Sequence, residues 1–288
     1  SVRPAQPDGR GMRSLSERYP VWFCDVWGVV HNGHVPFAAS VSTLARHRAN
    51  GGTVILVTNS PRSRQGVEIQ LREIGVAPES HDLVVTSGDV TRDLIVKRGG
   101  GQLFHLGPAR DHSIIAGLDV ALTTLDQARS VLCTGLFDDT KDTLECYDDL
   151  LADMAGRALP MICANPDKIV RSGDRILYCA GSLAERYAAR GGKVLMAGKP
   201  FPPIYDLAMA EAARLRGGPV QRSQVLAIGD GPETDIRGAA EEGQVEVGQA
   251  PELQLGLTGE QDAQGDGGLE GGAELDELDA VEHQGVGC

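Results

Sequence analysis

Short apolar runs alternate with helix-like segments along most of the chain. Val21–Val26 is a mainly apolar run with β-branched and aromatic members, and Thr53–Val57 is a second one. Between them, Ala38–Asn50 reads as a helix that stops at two glycines, which commonly end helices. Buried strands that alternate with helices predict βαβ units and a parallel sheet, so the predicted fold class is α/β.

The same alternation continues to about residue 242. Further strands are predicted at Leu83–Val85, Gln102–Leu106, Ser130–Cys133, Pro160–Ala164, Val194–Ala197 and Gln224–Ile228. Further helices are predicted at Arg62–Ile74, Gly88–Arg98, Asp142–Arg157, Ser182–Arg190, around the apolar stripe from Ile204 to Leu215, and at about Glu233–Glu242.

The charge is concentrated at the end of the sequence. The 288 residues carry a net charge of −13, but residues 244–288 hold eleven acidic residues, ten glycines and no Lys or Arg. Residues 1–243 therefore have 29 acidic against 27 basic residues, a net of −2. We expect the tail to be disordered, as an acidic interaction tail or as a non-native end. We favour the second interpretation, because an α/β domain needs another apolar strand there and the pattern shows none.

The composition indicates the cellular compartment of the protein and excludes some classes of partner. No apolar run approaches the roughly 20 residues of a membrane span, and an acidic chain is a poor candidate for nucleic-acid binding. Residues 1–20 lack the apolar segment of a secretory signal. The six cysteines form no C-x-x-C pair, which favours free thiols in a reducing compartment. We therefore expect a cytoplasmic protein that binds neither nucleic acid nor membrane.

Four short segments carry side chains suited to phosphate or metal chemistry. Each follows a predicted strand, and ligands of α/β proteins bind at the carboxyl ends of the strands. Each alone is also a common turn sequence. The segments are Asp25-Val26-Trp27-Gly28-Val29, Val57-Thr58-Asn59-Ser60, Gly198-Lys199-Pro200 and Gly229-Asp230-Gly231-Pro232-Glu233-Thr234-Asp235.

Together the segments place three carboxylates, one ammonium and one hydroxyl at one sheet edge. Crowded carboxylates repel one another unless a cation lies among them, and a few hard oxygen ligands suit Mg²⁺. The N-terminus of the last predicted helix and Lys199 add positive potential for a phosphate. This set predicts phosphoryl transfer by positioning and charge neutralisation.

The ordered set Asp25, Thr58, Lys199, Asp230 and Asp235 resembles the haloacid dehalogenase-like superfamily of hydrolases. The roughly 140 residues between the second and third segments look like the large α/β cap of C2 type in its class IIA, the NagD-like and nitrophenylphosphatase-like group. The likeness covers about residues 15–243. The matching segments are V-T-N-S-P, Asn165-Pro166-Asp167, G-K-P and G-D-G-P-E-T-D.

The resemblance implies a domain organisation. Residues 1–84 and 190–243 would form a Rossmann-like hydrolase core, and residues 85–189 an inserted α/β cap. Residues 244–288 would lie outside both, and a homodimer formed through the cap is consistent with the family.

The resemblance also implies a mechanism and its residues. Asp25 would attack the phosphoryl group of a small phosphorylated metabolite, and water would hydrolyse the resulting aspartyl-phosphate. The implied Mg²⁺ ligands are Asp25, the backbone carbonyl of Trp27 and Asp230, with Asp235 in support. The implied phosphate-binding groups are Thr58, the backbone of Asn59, and Lys199.

One position departs from the family pattern. Phosphatases of this family carry a second aspartate two residues after the nucleophile, as the general acid and base, and here that position is Trp27. An indole cannot transfer this proton, and losing a general acid typically costs on the order of 10²–10⁴ in rate. An activated leaving group would suffer less. His31 and His34 follow closely and are candidates for a substitute acid.

Three functions remain open at this stage. The first is a Mg²⁺-dependent phosphatase. The second is a catalytically impaired phosphate-binding or metal-binding regulatory protein of the same fold. The third is a carbon–halogen hydrolase, which would not need the retained Asp230 and Asp235. We favour the first, since impaired relatives usually lose more than one motif residue.

Overall fold

The computed structural model describes residues 11–98, 100–172, 175–231, 234, 235, 238, 247 and 248. Its helices are α1 (Gly11–Arg18), α2 (Ala38–Ala49), α3 (Arg64–Ile74), α4 (Ser87–Lys97), α5 (Asp148–Gly156), α6 (Ala180–Ala189) and α7 (Pro202–Arg216). Its strands are β1 (Val21–Cys24), β2 (Thr53–Thr58), β3 (Leu83–Thr86), β4 (Gly101–Leu106), β5 (Val120–Leu122), β6 (Ser130–Cys133), β7 (Met161–Cys163), β8 (Ile169–Ser172), β9 (Arg175–Tyr178), β10 (Val194–Met196), β11 (Val225–Ile228) and β12 (Val247–Gly248).

The first sheet has the strand order β12-β11-β1-β2-β3, and every pair in it is parallel. All residues of β1, β2 and β11 are buried, because helices cover both faces of the sheet. One apolar cluster packs against α2 and α3, and a second packs against α7. The central strands therefore need apolar residues at every position, as their sequences show.

The second sheet has the order β10-β7-β6-β4-β5 and is also parallel throughout. Its core gathers α5, α6 and the aromatic side chains Tyr147 and Tyr187, which are fully buried. An antiparallel hairpin, β8–β9, stands apart as a two-stranded sheet. The predicted α/β class with parallel sheets is confirmed.

Helix boundaries follow local capping. At the start of α3, the Ser63 side chain accepts a hydrogen bond from the Gly66 N–H, and the helix ends at Gly75 with a φ of +91°. That conformation favours glycine, which explains why the helix pattern stops at this residue. At the start of α4, the Thr86 side chain accepts from the Asp89 N–H in the same way.

The predicted division of the chain needs one correction. Its boundary at residue 190 assigns Val194–Met196 to the first unit, but this strand pairs with β7 in the second sheet. The chain returns to the first unit after β10, where α7 packs on β2. The rest of the division stays a prediction.

A second correction concerns the end of the first sheet. We predicted no strand after Gly243, yet Val247–Gly248 pairs in parallel with Ala227 and Ile228 of β11. The pattern missed it because two residues, one of them glycine, carry no apolar run. The predicted helix at about residues 233–242 and the predicted disordered tail otherwise lie outside the described residues, apart from positions 234, 235 and 238.

The cysteines agree with the prediction in part. Cys24, Cys133, Cys163 and Cys179 are free and buried. Cys146 is disulfide-bonded, so the prediction of free thiols is wrong for this residue.

Among the helices that the structure describes, none combines the length and apolarity that crossing a bilayer requires.

The pairing of β12 generates a prediction about truncation. A chain that ends after Gly243 loses the partner of β11, whereas one that ends after Gly248 keeps it. We expect the shorter chain to be less stable by on the order of 1–2 kcal/mol, because backbone hydrogen bonds of β11 lose their partner. Urea unfolding of the two truncated proteins measures the difference, and equal stability would show that β12 contributes nothing.

A buried histidine ties α2 to the first sheet. The ring of His47 stacks on Trp22 of β1, with centroids 3.9 Å apart and planes 5° from parallel. Its Nδ1 lies 2.7 Å from the Ser16 hydroxyl of α1. Burial lowers the pKa of His47 to about 4, so the ring is neutral in the folded protein at neutral pH.

This shifted pKa predicts a pH dependence of stability. In the unfolded chain the histidine pKa is about 6.5. Protonation then favours unfolding, so the contribution of His47 is complete above about pH 6.5 and is lost as the pH falls toward 4. The full loss is roughly 3 kcal/mol, at about 1.4 kcal/mol per pKa unit.

The variant His47→Gln isolates this effect. It should be less stable than the parent at pH 7, because it lacks the stacked ring, but its stability should fall less between pH 6.5 and 4. Urea unfolding across that range gives both curves, and His34→Gln, at an exposed histidine, is the control. Parallel curves for His47→Gln and the parent would contradict the prediction.

Candidate active site

Most of the predicted site residues follow three neighbouring strands of the first sheet, whereas Lys199 follows β10 of the second sheet. Asp25 directly follows β1, Thr58 ends β2, and Asp230 follows β11 by two residues. Because β11, β1 and β2 are adjacent and parallel, their carboxyl ends meet at one edge. The Asp25 N–H donates to the Ile228 carbonyl at 2.8 Å. This bond continues the hydrogen bonding between β1 and β11 one residue beyond the end of β1.

A buried lysine connects the carboxylates. The Nζ atom of Lys199 donates to Asp25 Oδ1 at 2.7 Å and to Asp235 Oδ1 at 2.6 Å. The side chains of Lys199 and Asp235 are 5% and 6% exposed, and that of Asp25 is 12% exposed. Burial alone would lower the pKa of Lys199, but the two carboxylates outweigh it and raise the pKa above its ordinary value. The ammonium is therefore charged at neutral pH.

The third carboxylate completes an acidic cluster. One oxygen from each of Asp25, Asp230 and Asp235 lies within 4.8 Å of the other two. Burial raises the pKa of Asp25 to about 7, against the opposing effect of Lys199. The pKa of Asp230 is also raised, by burial and then by the charge of Asp235. One ammonium thus leaves the cluster short of positive charge, and the oxygen donors fit a hard divalent cation such as Mg²⁺.

Glycine at position 28 makes the cluster possible. Gly28 has a φ of +82°, and a Cβ atom there would lie 2.1 Å from Oδ2 of Asp230. Both the backbone conformation and the contact exclude a side chain. Asp230 therefore packs directly against the backbone that follows Trp27.

Asn59 holds the backbone of Lys199. Its Oδ1 accepts from the Lys199 N–H at 2.7 Å, and its Nδ2 donates to the Lys199 carbonyl at 3.2 Å. Nδ2 also donates to Oδ1 of Asp167 at 2.9 Å. The amide side chain is therefore committed to protein contacts, which leaves the backbone of Asn59 for the predicted phosphate contact. At the neighbouring Thr58, the hydroxyl accepts from the Ser60 N–H at 3.2 Å.

Asp167 was assigned no role from the sequence. It belongs to the Asn165-Pro166-Asp167 segment, and Asn165 accepts a hydrogen bond from the Asp167 N–H at 3.0 Å. Asp167 thereby links the second unit to Asn59 of the first. The segment itself was visible as a motif, but its contact with position 59 was not, since 108 residues separate the two.

Trp27 is 44% exposed, although its neighbours in the chain are largely buried. Its ring meets His31 edge-on, with centroids 5.5 Å apart and planes at 75°. A Cβ atom at Gly33 would lie 2.5 Å from the indole Cη2, so the ring rests on this glycine.

The two candidate substitute acids occupy different environments. His31 is 2% exposed, its Nδ1 accepts from the Gly33 N–H at 2.8 Å, and burial lowers its pKa. His31 is therefore neutral at pH 7, and one of its two ring nitrogens is already occupied. His34 is exposed. The contacts of His31 give it a role in supporting the loop around Trp27.

A cavity of about 400 Å³ lies between the turn after β2 and the second unit. Its walls include Pro61 and Arg62 from the first unit and Arg110, Asp111 and Asn165 from the second. Burial raises the pKa of Asp111. None of the predicted site residues, all of which the structure describes, lines this cavity. Of its lining residues, Pro61 and Asn165 lie in segments that the sequence analysis quoted, and it gave none of the lining residues a role.

The structure thus brings Asp25, Lys199, Asp230 and Asp235 into one cluster and attaches Asn59 to it through the Lys199 backbone. Thr58 lies one residue before Asn59 on the same turn. The roles of these residues stay predictions.

The chain matches two family models. One, described as haloacid dehalogenase-like hydrolase, matches residues 22–121, and another, described as HAD-hydrolase-like, matches residues 196–247. A crystal structure of a haloacid dehalogenase-like family hydrolase from Brucella suis 1330 is 50% identical, covers 82% of this chain and 87% of its own, and has a TM-score of 0.78. No curated protein sequence matches the chain.

More distant structures share the fold. A 4-nitrophenylphosphatase from Thermotoga maritima is 24% identical over 81% of this chain and 87% of its own, with a TM-score of 0.64. A glycerol phosphate phosphatase from Mycobacterium tuberculosis, in complex with calcium, is 24% identical over 81% of this chain and 66% of its own, with a TM-score of 0.60.

The buried lysine generates a prediction about stability. Lys199→Met leaves the carboxylates of Asp25 and Asp235 without their cation, so we expect a loss of about 3–5 kcal/mol in the free energy of unfolding. Millimolar MgCl₂ should recover part of this loss in the variant and raise its melting temperature more than that of the parent. Thermal and urea unfolding, with and without MgCl₂, measure both effects.

Lys193→Met is the matched control, since Lys193 is exposed on the connection that leads to Lys199. It should change stability by less than about 0.5 kcal/mol. A Lys199→Met protein as stable as the parent in metal-free buffer would refute the structural role of the ammonium.

Proposed function

Because this chain belongs to the haloacid dehalogenase-like hydrolase family, we propose that it hydrolyses the phosphate ester of a small metabolite with the help of Mg²⁺. The observation that carries the proposal is the buried Lys199 ammonium, held between Asp25 and Asp235 and beside Asp230. The Thermotoga maritima and Mycobacterium tuberculosis phosphatases of the same fold support the choice of a phosphate ester.

In this proposal Asp25 is the nucleophile. One of its carboxylate oxygens bonds to phosphorus as the bond between phosphorus and the ester oxygen breaks, giving an aspartyl-phosphate and the freed alcohol or phenol. Water then attacks phosphorus and releases inorganic phosphate and the Asp25 carboxylate. The ester oxygen gains one proton and the attacking water loses one, so the reaction consumes one water in total.

The groups around Asp25 orient the reacting atoms and neutralise the charge of the phosphate. The Lys199 ammonium orients Asp25 through its 2.7 Å contact and would bind a phosphate oxygen. The Thr58 hydroxyl and the Asn59 backbone, on the next strand, would bind the others. Asn59 fixes the Lys199 backbone and so preserves this alignment.

Mg²⁺ would be held by Asp25, Asp230 and the Trp27 backbone carbonyl, with Asp235 in support. When bound, the ion would neutralise charge on the phosphate and on the crowded carboxylates. The protein itself supplies the preorganised oxygens, since Gly28 lets Asp230 approach the Trp27–Gly28 backbone.

A catalytically impaired binding protein is the second candidate. Trp27 occupies the position where the family's phosphatases carry their general acid, and this specific observation favours slow chemistry. Such a protein would keep the fold and bind phosphate and Mg²⁺ without releasing phosphate from any ester. The partners we propose for either candidate are small phosphorylated metabolites, and a cytoplasmic homodimer is consistent with both.

Phosphate release from a panel of phosphorylated metabolites and aryl phosphates tests the proposal. We expect turnover in MgCl₂, its loss in EDTA, and a loss of more than about 10³-fold in Asp25→Asn. A phosphorylated Asp25 peptide should be recovered after acid quenching. Asp153→Asn, at an exposed acidic residue of α5, is the control and should retain full activity.

Two outcomes would contradict the proposal. Activity that survives Asp25→Asn would exclude the aspartyl-phosphate route. No release from any ester, combined with measurable binding of phosphate and Mg²⁺, would establish the binding protein instead.

A further inference from the structure

The indole of Trp27 is exposed, although the residues around it in the chain are largely buried. The chain has two tryptophans: Trp22 is 1% exposed, in the core, and Trp27 is 44% exposed. Leaving so large an apolar ring in water forgoes the free energy of burying it. Exposed aromatic rings beside polar sites commonly contact ligands.

The loop after β1 is built to hold this ring. Gly33 has a φ of +96° and presents bare backbone to the indole, where a Cβ atom would lie 2.5 Å from Cη2. His31 presents its ring to the indole edge-on and is itself fixed by the Gly33 N–H. The Gly28 N–H donates to the His31 carbonyl at 2.9 Å, which closes the loop beneath Trp27. These contacts restrict the orientation of the indole.

The backbone at Trp27 and Gly28 borders the acidic cluster. Trp27 is two residues beyond Asp25, and the next residue, Gly28, packs directly against the carboxylate of Asp230. When Asp25 attacks the phosphorus, the leaving group lies on the side of the phosphorus opposite the attacking carboxylate. The exposed indole thus belongs to the loop that borders the acidic cluster.

The chemistry of this position points to one class of leaving group. An indole N–H does not protonate a departing oxygen, and the buried His31 is occupied in holding the loop. An ester that needs no protonation has a weakly basic oxygen, as in a phenol or an enol, and such groups are planar and conjugated. Planar π-systems are also what an indole face binds best.

We propose that Trp27 is a specificity-determining residue that stacks on the leaving group and selects phosphate esters of planar phenols or enols. This inference rests on the proposed function. As Asp25 Oδ bonds to phosphorus and the ester bond breaks, the group leaves as a phenolate or enolate. It takes its proton from solvent water, so no acid from the protein is needed.

Binding can be measured without turnover. In Asp25→Asn, the emission of exposed Trp27 reports on ligands, and the buried Trp22 contributes a constant background. Phenyl phosphate and cyclohexyl phosphate are matched probes that differ in the planarity of the ring. We expect phenyl phosphate to bind about 3- to 10-fold more tightly and to change the Trp27 emission. Isothermal titration provides the same affinities independently of fluorescence.

Variants at position 27 test the assignment. With Asp25→Asn as background, adding Trp27→Leu should abolish the preference for phenyl phosphate, and adding Trp27→Tyr should retain it. The affinity of each variant for inorganic phosphate, measured in parallel, separates a lost ring contact from a damaged phosphate site. The unchanged emission of Trp22 and the melting temperature check that each variant folds.

Rates along a series of aryl phosphates give a second, kinetic test. In the parent, kcat/KM should fall steeply as the leaving group becomes more basic, and cyclohexyl phosphate should be the poorest substrate. Trp27→Asp, which supplies a carboxyl group at this position, should flatten that dependence. A parent enzyme with the same rate for phenyl and cyclohexyl phosphate would overturn the inference, as would a preference that survives Trp27→Leu.

The two proposals fail in different ways. Phosphate release without any preference for planar esters would leave the phosphatase intact and refute the role of Trp27. Tighter binding of phenyl phosphate without any phosphate release would refute the phosphatase and leave the stacking role standing.

Discussion

The ion contact of Lys199 with Asp25 and Asp235 is the constraint on which the rest of the site depends. Two largely buried carboxylates so close together need a cation, and one buried ammonium needs both of them. The three residues come from three separate parts of the chain, so the contact forms only when β1, β11 and the segment before α7 are all in place. Stability and the proposed chemistry therefore share the same few atoms.

The second unit is tied to this contact through Asn59. The chain leaves the first sheet after β3 and returns after β10, immediately before Lys199. Asn59 binds the Lys199 backbone on one side and Asp167 of the second unit on the other. A second contact, from the Ser87 hydroxyl to the Ala164 carbonyl at 2.6 Å, lies at the exit from β3. The inserted unit thus helps to position the lysine that orients Asp25.

The parallel sheet and the main site cluster were predictable because their signals are local and strong. β1, β2 and β11 are buried on both faces, so each is an apolar run whatever its tertiary neighbours are. The motifs at their carboxyl ends then meet by the geometry of parallel strands. Capping residues such as Ser63 and Gly75 fix helix ends through contacts within a few residues, which sequence also shows.

The features that escaped prediction depend on contacts made elsewhere in the chain. β12 is two residues long and is a strand because β11 offers a free edge to it. β5 and the β8–β9 hairpin also escaped prediction, and unlike the fully buried central strands they have half-buried or exposed residues. Val194–Met196 was found as a strand, but sequence could not show which sheet it joins. Asp167 gained its role from a partner 108 residues away.

Charge balance connects Trp27 to the cluster. Asp25, Asp230 and Asp235 carry three negative charges when ionised, and Lys199 supplies one positive charge, which leaves two to be neutralised. A single divalent cation suffices for that, with no surplus negative charge to repel a phosphate dianion. An aspartate at position 27 would add a fourth carboxylate beside a group whose pKa burial already raises. The indole adds no charge and no proton donor, so under the proposed mechanism selection of the substrate falls to the leaving group. The residue at position 27 thus links the charge balance of the acidic cluster to the proposed choice of substrate.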